Sequence, residues 1–100
     1  MSDPAIPAPS PEVQRFLDRE GRLRQWPAKK RAREAVLAWL MELFEPGRRY
    51  SEREVGDVLL GAHSFGDPAF LRRELCDHGH LARETDGSAY WRPDPQPNAR

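Results

Sequence analysis

The residues best suited to chemistry in this chain are basic, and many of them fall in one stretch. Residues 15–33 hold eight Lys or Arg side chains against Asp18 and Glu20, whereas the chain as a whole is neutral. Clustered cations bind phosphate, because guanidinium and ammonium groups donate charged hydrogen bonds to phosphate oxygens. The candidate contacts are Arg22, Arg24, Lys29, Lys30, Arg31 and Arg33. The alternative is a solvated face that serves solubility.

The densest part of this cluster, residues 29–33, coincides with the predicted start of a helix. Cations at a helix N-terminus oppose the helix dipole and cost a few tenths of a kcal/mol each when exposed. The free N–H groups of a first helical turn also point outward and bind anions. The placement supports a phosphate site as strongly as a solubility role, and both interpretations stay open.

Arg72 and Arg73 lie on a second candidate surface, the predicted third helix. Arginine is the usual donor to guanine edges and to phosphates. Acidic residues accompany them, and Asp77, four residues after Arg73, is placed to form a local ion pair with it. This helix is therefore a weaker candidate for reading DNA, with a structural or partner-binding surface as the alternative.

Cys76, His78 and His80 are weak candidates for a metal site, with His63 as a further ligand. Side chains two apart on a helix diverge by about 200°, and the usual zinc spacings are absent. We therefore predict neither a metal site nor a cofactor, and Cys76 is expected to be at least half-buried. The usual nucleotide-binding, hydrolase and metalloprotease motifs are also absent, so we do not expect an enzyme.

Three amphipathic helices and a hairpin are predicted to position these residues. Apolar residues recur at helical spacing in about 28–44, 52–62 and 68–78, and the segments 80–83 and 89–92 flank a turn. The alternating stretch 22–26 is predicted to add a third strand to the hairpin. This order indicates an α+β, winged-helix-like fold: a three-helix core and a small antiparallel sheet whose C-terminal hairpin is the wing.

Short signals set the bounds of these elements. Ser51 and Glu54 have the spacing of a capping box, and the pair Asp67-Pro68 is typical of an N-cap and a first-turn proline. Gly79 is predicted to end the third helix, and Asp86-Gly87 is a strong hairpin signal.

The length of 100 residues, the single cysteine and the absence of a long apolar run limit the protein class. We predict one domain over 12–92 between proline-rich disordered tails at 1–11 and 93–100. A lone cysteine, no visible secretory signal and no apolar run of membrane-spanning length favour a cytoplasmic protein without a membrane partner. Balanced charge argues against a histone-like, indiscriminate nucleic-acid binder.

Several segments together resemble a known family. They are WPAKKR at 26–31, FEPGRRYSEREV at 44–55, LRREL at 71–75, LARE at 81–84, DGS at 86–88 and YWR at 90–92. This combination over about 15–92 resembles the bacterial domain of unknown function 2087. Gly56 departs from the family pattern, which usually has an Asn-like polar residue there, and a helical glycine costs up to about 1 kcal/mol relative to Ala.

The resemblance implies a winged-helix module that occurs alone or behind an ArsR-type helix-turn-helix domain in transcriptional regulators. The first hypothesis is therefore a DNA-binding domain that contacts phosphates through residues 22–33, with Arg72 and Arg73 as base readers. The second is a protein-interaction or dimerisation module, either a homodimer or the partner of a regulator domain, without its own DNA reading. The third is a sensor of a metal or a small anion.

Overall fold

The computed structural model describes residues 8–93, which form four helices and three short strands. The elements in chain order are α1 (Pro11–Gln14), α2 (Lys30–Met41), β1 (Arg49–Tyr50), α3 (Glu52–Leu60), α4 (Pro68–Asp77), β2 (Ala82–Arg83) and β3 (Tyr90–Trp91). The segments predicted as helices, about 28–44, 52–62 and 68–78, correspond to α2, α3 and α4. The predicted tails lie largely outside the described residues.

The small sheet has the strand order β1-β3-β2, and both of its pairings are antiparallel. Tyr90 on the central strand is opposite Tyr50 on one side and Arg83 on the other. The strand between the first two long helices and the hairpin after the third give the α+β, winged-helix-like fold that the sequence predicts. The predicted wing turn is confirmed, because Glu84 N donates to Ala89 O at 2.9 Å.

The predicted identity of the third strand is wrong. The stretch 22–26 forms no strand of this sheet, and β1 at Arg49–Tyr50 takes that place. Leu23 instead makes isolated bridges with Leu17 and His63, and its N–H donates to Ala62 O at 2.8 Å. The alternation also stops early, because Arg24 and Gln25 are both exposed. β1 has only two residues, because Ser51, the N-cap of α3, follows it directly, and so short a strand shows no alternating pattern.

The broad apolar face of α2 forms the centre of the core. Val36, Leu37 and Leu40 have no solvent exposure, and Phe44 is 1% exposed. The helix ends at Met41, and the chain continues to Phe44 through tighter turns in which each N–H bonds to the carbonyl three residues earlier. Phe44 therefore keeps its predicted core position although it lies beyond the helix.

The predicted capping signals of α3 and α4 are confirmed, although α3 ends at Leu60 and not near residue 62. Ser51 Oγ accepts from Glu54 N at 3.0 Å, and Glu54 Oε1 accepts from Ser51 N at 2.8 Å. Asp67 Oδ1 accepts from Phe70 N at the start of α4. Gly79 has φ 81°, and the following N–H, of His80, donates to Leu75 O at 2.8 Å, which closes the end of α4 in a Schellman-type turn.

Gly56 lies within α3, so the helix is regular despite this residue. A Cβ built at Gly56 would meet no atom within 4 Å, so the glycine does not serve close helix packing. Among residues 8–93, no helix is long and apolar enough to cross a membrane.

Candidate nucleic-acid interface

The turn between α3 and α4 is held by a buried histidine. His63 is 3% exposed, and its Nε2 accepts from Asp67 N at 2.9 Å. Nδ1 must then carry the ring proton, and it donates to Leu59 O at 2.7 Å. One side chain thus links the last turn of α3 to the N-cap of α4 and fixes the two helices relative to each other as the α3–α4 unit.

The basic segment lies against this unit. Trp26 packs edge-on against Phe70 of α4, with ring centroids 5.1 Å apart. Ser64, in the turn before α4, donates its N–H to Leu23 O at 2.8 Å. Residues 22–26 are therefore held beside the start of α4, and the cations at 29–33 follow them directly along the chain.

The N-terminus of α2 is open. Lys29 is the N-cap residue, yet its side chain makes no capping hydrogen bond, and the first turn contains no acidic residue. Lys29 and Lys30 are exposed and make no ion pair within the described part of the chain. Arg33 lies just behind them and donates to Pro27 O at 2.7 Å. Free N–H groups and two uncommitted ammonium groups suit a phosphate oxygen.

The other three predicted contacts in this segment have partners within the protein. Arg22 Nε lies 3.7 Å from Asp18 Oδ2, an ion pair that is too long for a hydrogen bond. Arg24 donates to Arg15 O at 3.0 Å. Arg31 is 92% exposed and lies 3.9 Å from Glu12, so only a weak contact restrains it. Arg31 is thus the most available of the three for a ligand.

The two arginines of α4 differ in their surroundings. Arg72 Nη1 lies 3.8 Å from Glu52 Oε2, and its guanidinium lies 5.8 Å from the centroid of the Tyr90 ring. Arg73 is exposed and makes no ion pair among residues 8–93. The predicted pair between Arg73 and Asp77 is therefore absent. Of the two, Arg73 is the free donor, whereas Arg72 braces α4 against α3 and the sheet.

Arg83 also belongs to this surface, although it is not among the contacts predicted from the sequence. Its guanidinium lies 5.9 Å from the centroid of the Tyr90 ring, the ring that Arg72 also approaches. It also donates to Thr85 O at 3.0 Å, within the wing loop. Arg83 is the last residue of the predicted strand 80–83, so its position on the wing could be predicted from the sequence. Its proximity to α4, however, depends on the register of the sheet.

Acidic groups flank the same surface. Glu74 lies 3.5 Å from His78 on α4, and Glu84 pairs with Arg49 beside the wing. Asp86 lies at the wing turn, where the N–H of Ser88 donates to its carboxylate and lowers the pKa of that group. A polyanion would therefore be attracted to the segment 22–33 more than to the wing tip.

The weak metal candidates do not form a group. Across residues 8–93, no three His, Cys, Asp or Glu side chains are arranged to hold a metal ion. His63 uses both ring nitrogens on backbone groups, and His78 is paired with Glu74. Burial raises the pKa of the Cys76 thiol, partly offset by Arg83 and Arg72, so the thiolate is disfavoured.

The fold and this surface define an α+β, winged-helix-like domain in which a basic segment adjoins the α3–α4 unit. Residues 22–92 match the model of a family described as an uncharacterized protein conserved in bacteria, DUF2087. The chain belongs to this family, which confirms the resemblance seen in the sequence. No curated protein and no solved structure shows significant similarity to the chain.

Proposed function

We propose that this protein is a DNA-binding domain of a bacterial transcriptional regulator and that it contacts the phosphate backbone through the basic segment 22–33. The observation that carries this proposal is the position of that segment. The Trp26–Phe70 contact holds the middle of that segment beside α4, which we propose is the recognition helix of a helix-turn-helix unit. The proposed role is one of binding and not of catalysis.

Two features give the proposal its chemical form. The open first turn of α2 offers N–H groups and the side chains of Lys29 and Lys30 to one phosphate. Arg73 is the α4 side chain free to reach a groove, and its acidic neighbours limit nonspecific attraction. Binding should therefore be moderate and dependent on salt, because few phosphates are neutralised.

The test is fluorescence anisotropy with a labelled random duplex at about 50 mM and about 200 mM salt. We expect saturable binding at low salt that weakens at higher salt. The variant Lys29→Ala/Lys30→Ala should lose about tenfold in affinity or more at low salt, and its salt dependence should be shallower.

The matched control is Arg19→Ala/Arg48→Ala, which removes the same charge from exposed side chains outside residues 22–33 and outside α4. It should bind nearly as well as the natural chain. If no duplex binding is found at protein concentrations of about 50 μM, or if the two double variants bind equally well, the proposal is wrong.

A protein-interaction module is the second candidate, because carboxylates flank α4 and the wing and Leu60 is a large apolar side chain at 50% exposure. Sedimentation equilibrium distinguishes it from the first. A dimer that is disrupted by Leu60→Arg, together with no DNA binding, would favour this alternative.

A further inference from the structure

A cleft of about 630 Å³ lies on a side of the molecule that neither α4 nor residues 22–33 line. It runs between the segment that follows α2 (residues 42–48), Tyr50 of β1 and one side of α3. Much of its wall is apolar, formed by Leu43, Phe44, Pro46, Tyr50, Val58 and Ala62. This volume is within the range of about 300–1,000 Å³ that is usual for small-molecule sites.

Charge on the cleft is predominantly negative. Four of the lining residues are acidic, Glu42, Glu45, Glu54 and Asp57, and two are basic, Arg48 and Arg92. Glu54 already accepts from Ser51 N in the capping box. Glu42 and Asp57 are exposed and have no ion-pair partner within residues 8–93. Two carboxylates thus remain uncompensated beside an apolar wall.

A side chain of the protein itself shows where a cation fits. The Arg48 guanidinium lies 4.8 Å from the centroid of the Tyr50 ring, a distance typical of a cation–π contact. Arg48 also lies 3.5 Å from Glu45, and its side chain is 53% exposed. This position therefore combines an aromatic face with a carboxylate, and its present occupant is free to move out into solvent.

The aromatic part of the site is rigid. Tyr50 is 5% exposed, and its hydroxyl accepts from Glu45 N at 2.9 Å. Phe44 packs edge-on against the same ring, with centroids 5.1 Å apart. A ligand would meet a surface already in place and would need to displace only Arg48.

We propose that this cleft binds a small organic cation with an apolar body, such as a hydrophobic amine. The apolar part lies against Leu43 and Val58, and the ammonium group takes the position of the Arg48 guanidinium over Tyr50. Glu45, Glu42 and Asp57 supply the compensating charge. This site is separate from the proposed DNA surface, so the two proposals succeed or fail independently.

The test uses 4-phenylbutylamine and, for comparison, 4-phenylbutyrate, which has a similar apolar body and the opposite charge. Two-dimensional amide NMR of the full chain follows both titrations. The amine should shift the amides of Leu43, Phe44 and Val58 with saturation, and the carboxylate should not. The variant Glu42→Gln/Asp57→Asn should weaken amine binding about three- to tenfold. Glu20→Gln/Asp77→Asn makes the same charge change outside the cleft and should leave amine binding unchanged.

Arg48→Ala gives the decisive result, because it removes the resident cation and frees Glu45. The amine should then bind about threefold more tightly or better. A destabilised fold would weaken binding, so a gain in affinity is not explained by damage to the structure.

Arg92 is the feature of the cleft that would favour an anion over a cation. It lines the cleft and donates to Phe44 O at 3.1 Å, while its Nε is buried without a partner among the described residues. Tighter binding of 4-phenylbutyrate than of the amine would assign the cleft to anions and overturn the proposal. Weaker amine binding by Arg48→Ala would also overturn the proposal. So would the finding that these amides shift only when a lysine-rich peptide is added, or only when the protein self-associates.

Discussion

The ends of α3 and α4 differ sharply from the start of α2. A capping box closes the start of α3, His63 bonds a carbonyl of its last turn, and Asp67 caps α4. At the start of α2, Lys29 makes no capping bond and no acidic residue is present in the first turn. The helix ends of the α3–α4 unit are capped by groups within the protein, whereas α2 leaves its first N–H groups to solvent or a ligand.

This difference separates two uses of a helix terminus. A side-chain oxygen at the N-cap contributes about 0.5–2 kcal/mol of stability and occupies the N–H groups that an anion would need. The open start of α2 forgoes that stability and adds cations that the dipole disfavours. Such an arrangement is useful if an external phosphate supplies the missing acceptors, and the following substitutions test whether the contrast is real.

The largest effect is expected at His63, where both ends of the α3–α4 turn meet. His63→Ala removes two hydrogen bonds to backbone groups and leaves a cavity, so it should lower the free energy of unfolding by about 2–4 kcal/mol. Urea denaturation followed by circular dichroism measures this change. His78→Ala is the control, since His78 is exposed and paired with Glu74, and it should change stability by less than about 0.5 kcal/mol. Equal costs for the two variants would show that His63 does not hold the turn.

The capping box of α3 should have the next largest effect. Ser51→Ala removes the acceptor for Glu54 N and should cost about 1 kcal/mol of stability. Glu54→Gln keeps an acceptor for Ser51 N and should cost less than Glu54→Ala. If all three variants unfold at the same urea concentration as the natural chain, α3 is not closed by this box.

The middle of α3 contains a glycine that no packing contact requires. Gly56 is helical, and a Cβ there would meet no neighbouring atom. Gly56→Ala should therefore raise stability by about 0.5–1 kcal/mol. Gly79→Ala makes the same chemical change at φ 81° and should destabilise. A loss of stability in both variants would indicate that Gly56 has a packing role after all.

Installing a cap on α2 tests the other side of the comparison. Lys29→Ser supplies the missing acceptor and removes a cation from the positive end of the dipole, so stability should rise by about 0.5 kcal/mol. DNA affinity should fall at the same time, because the serine oxygen competes with a phosphate for the same N–H groups. Chemical denaturation and anisotropy measure the two quantities. A gain in stability with undiminished DNA binding would separate the open terminus from any role in binding.

Local signals in the sequence predict much of this comparison. They do not show contacts between distant residues or contacts of residues that belong to no recognisable motif. Ser51, Asp67 and Gly79 act on residues within a few positions, so their roles follow from spacing alone. The contact of Trp26 with Phe70, the bonds of His63 and the pairing of β1 join residues that are distant or that lack a distinctive pattern. The same holds for the cleft, whose wall comes from the segment that follows α2, from β1 and from α3 together, and the sequence indicated no pocket there.

The smallest expected effect concerns His80, just beyond the end of α4. Burial lowers the pKa of His80 from its ordinary value of about 6.5, His78 lowers it further, and Glu34 opposes both. The unfolded chain therefore binds a proton at His80 more readily than the folded chain does, so stability falls as the pH drops through about 6.5. The thermal midpoint of the natural chain should decrease between about pH 7.5 and about pH 5.5 by more than that of His80→Asn, which cannot titrate. Because the side chain is only partly buried, this difference should be smaller than the gain from Lys29→Ser. If the thermal midpoints of the two chains change equally with pH, protonation of His80 does not affect the end of α4. The difference between the capped ends of α3 and α4 and the uncapped start of α2 would then depend on the caps alone.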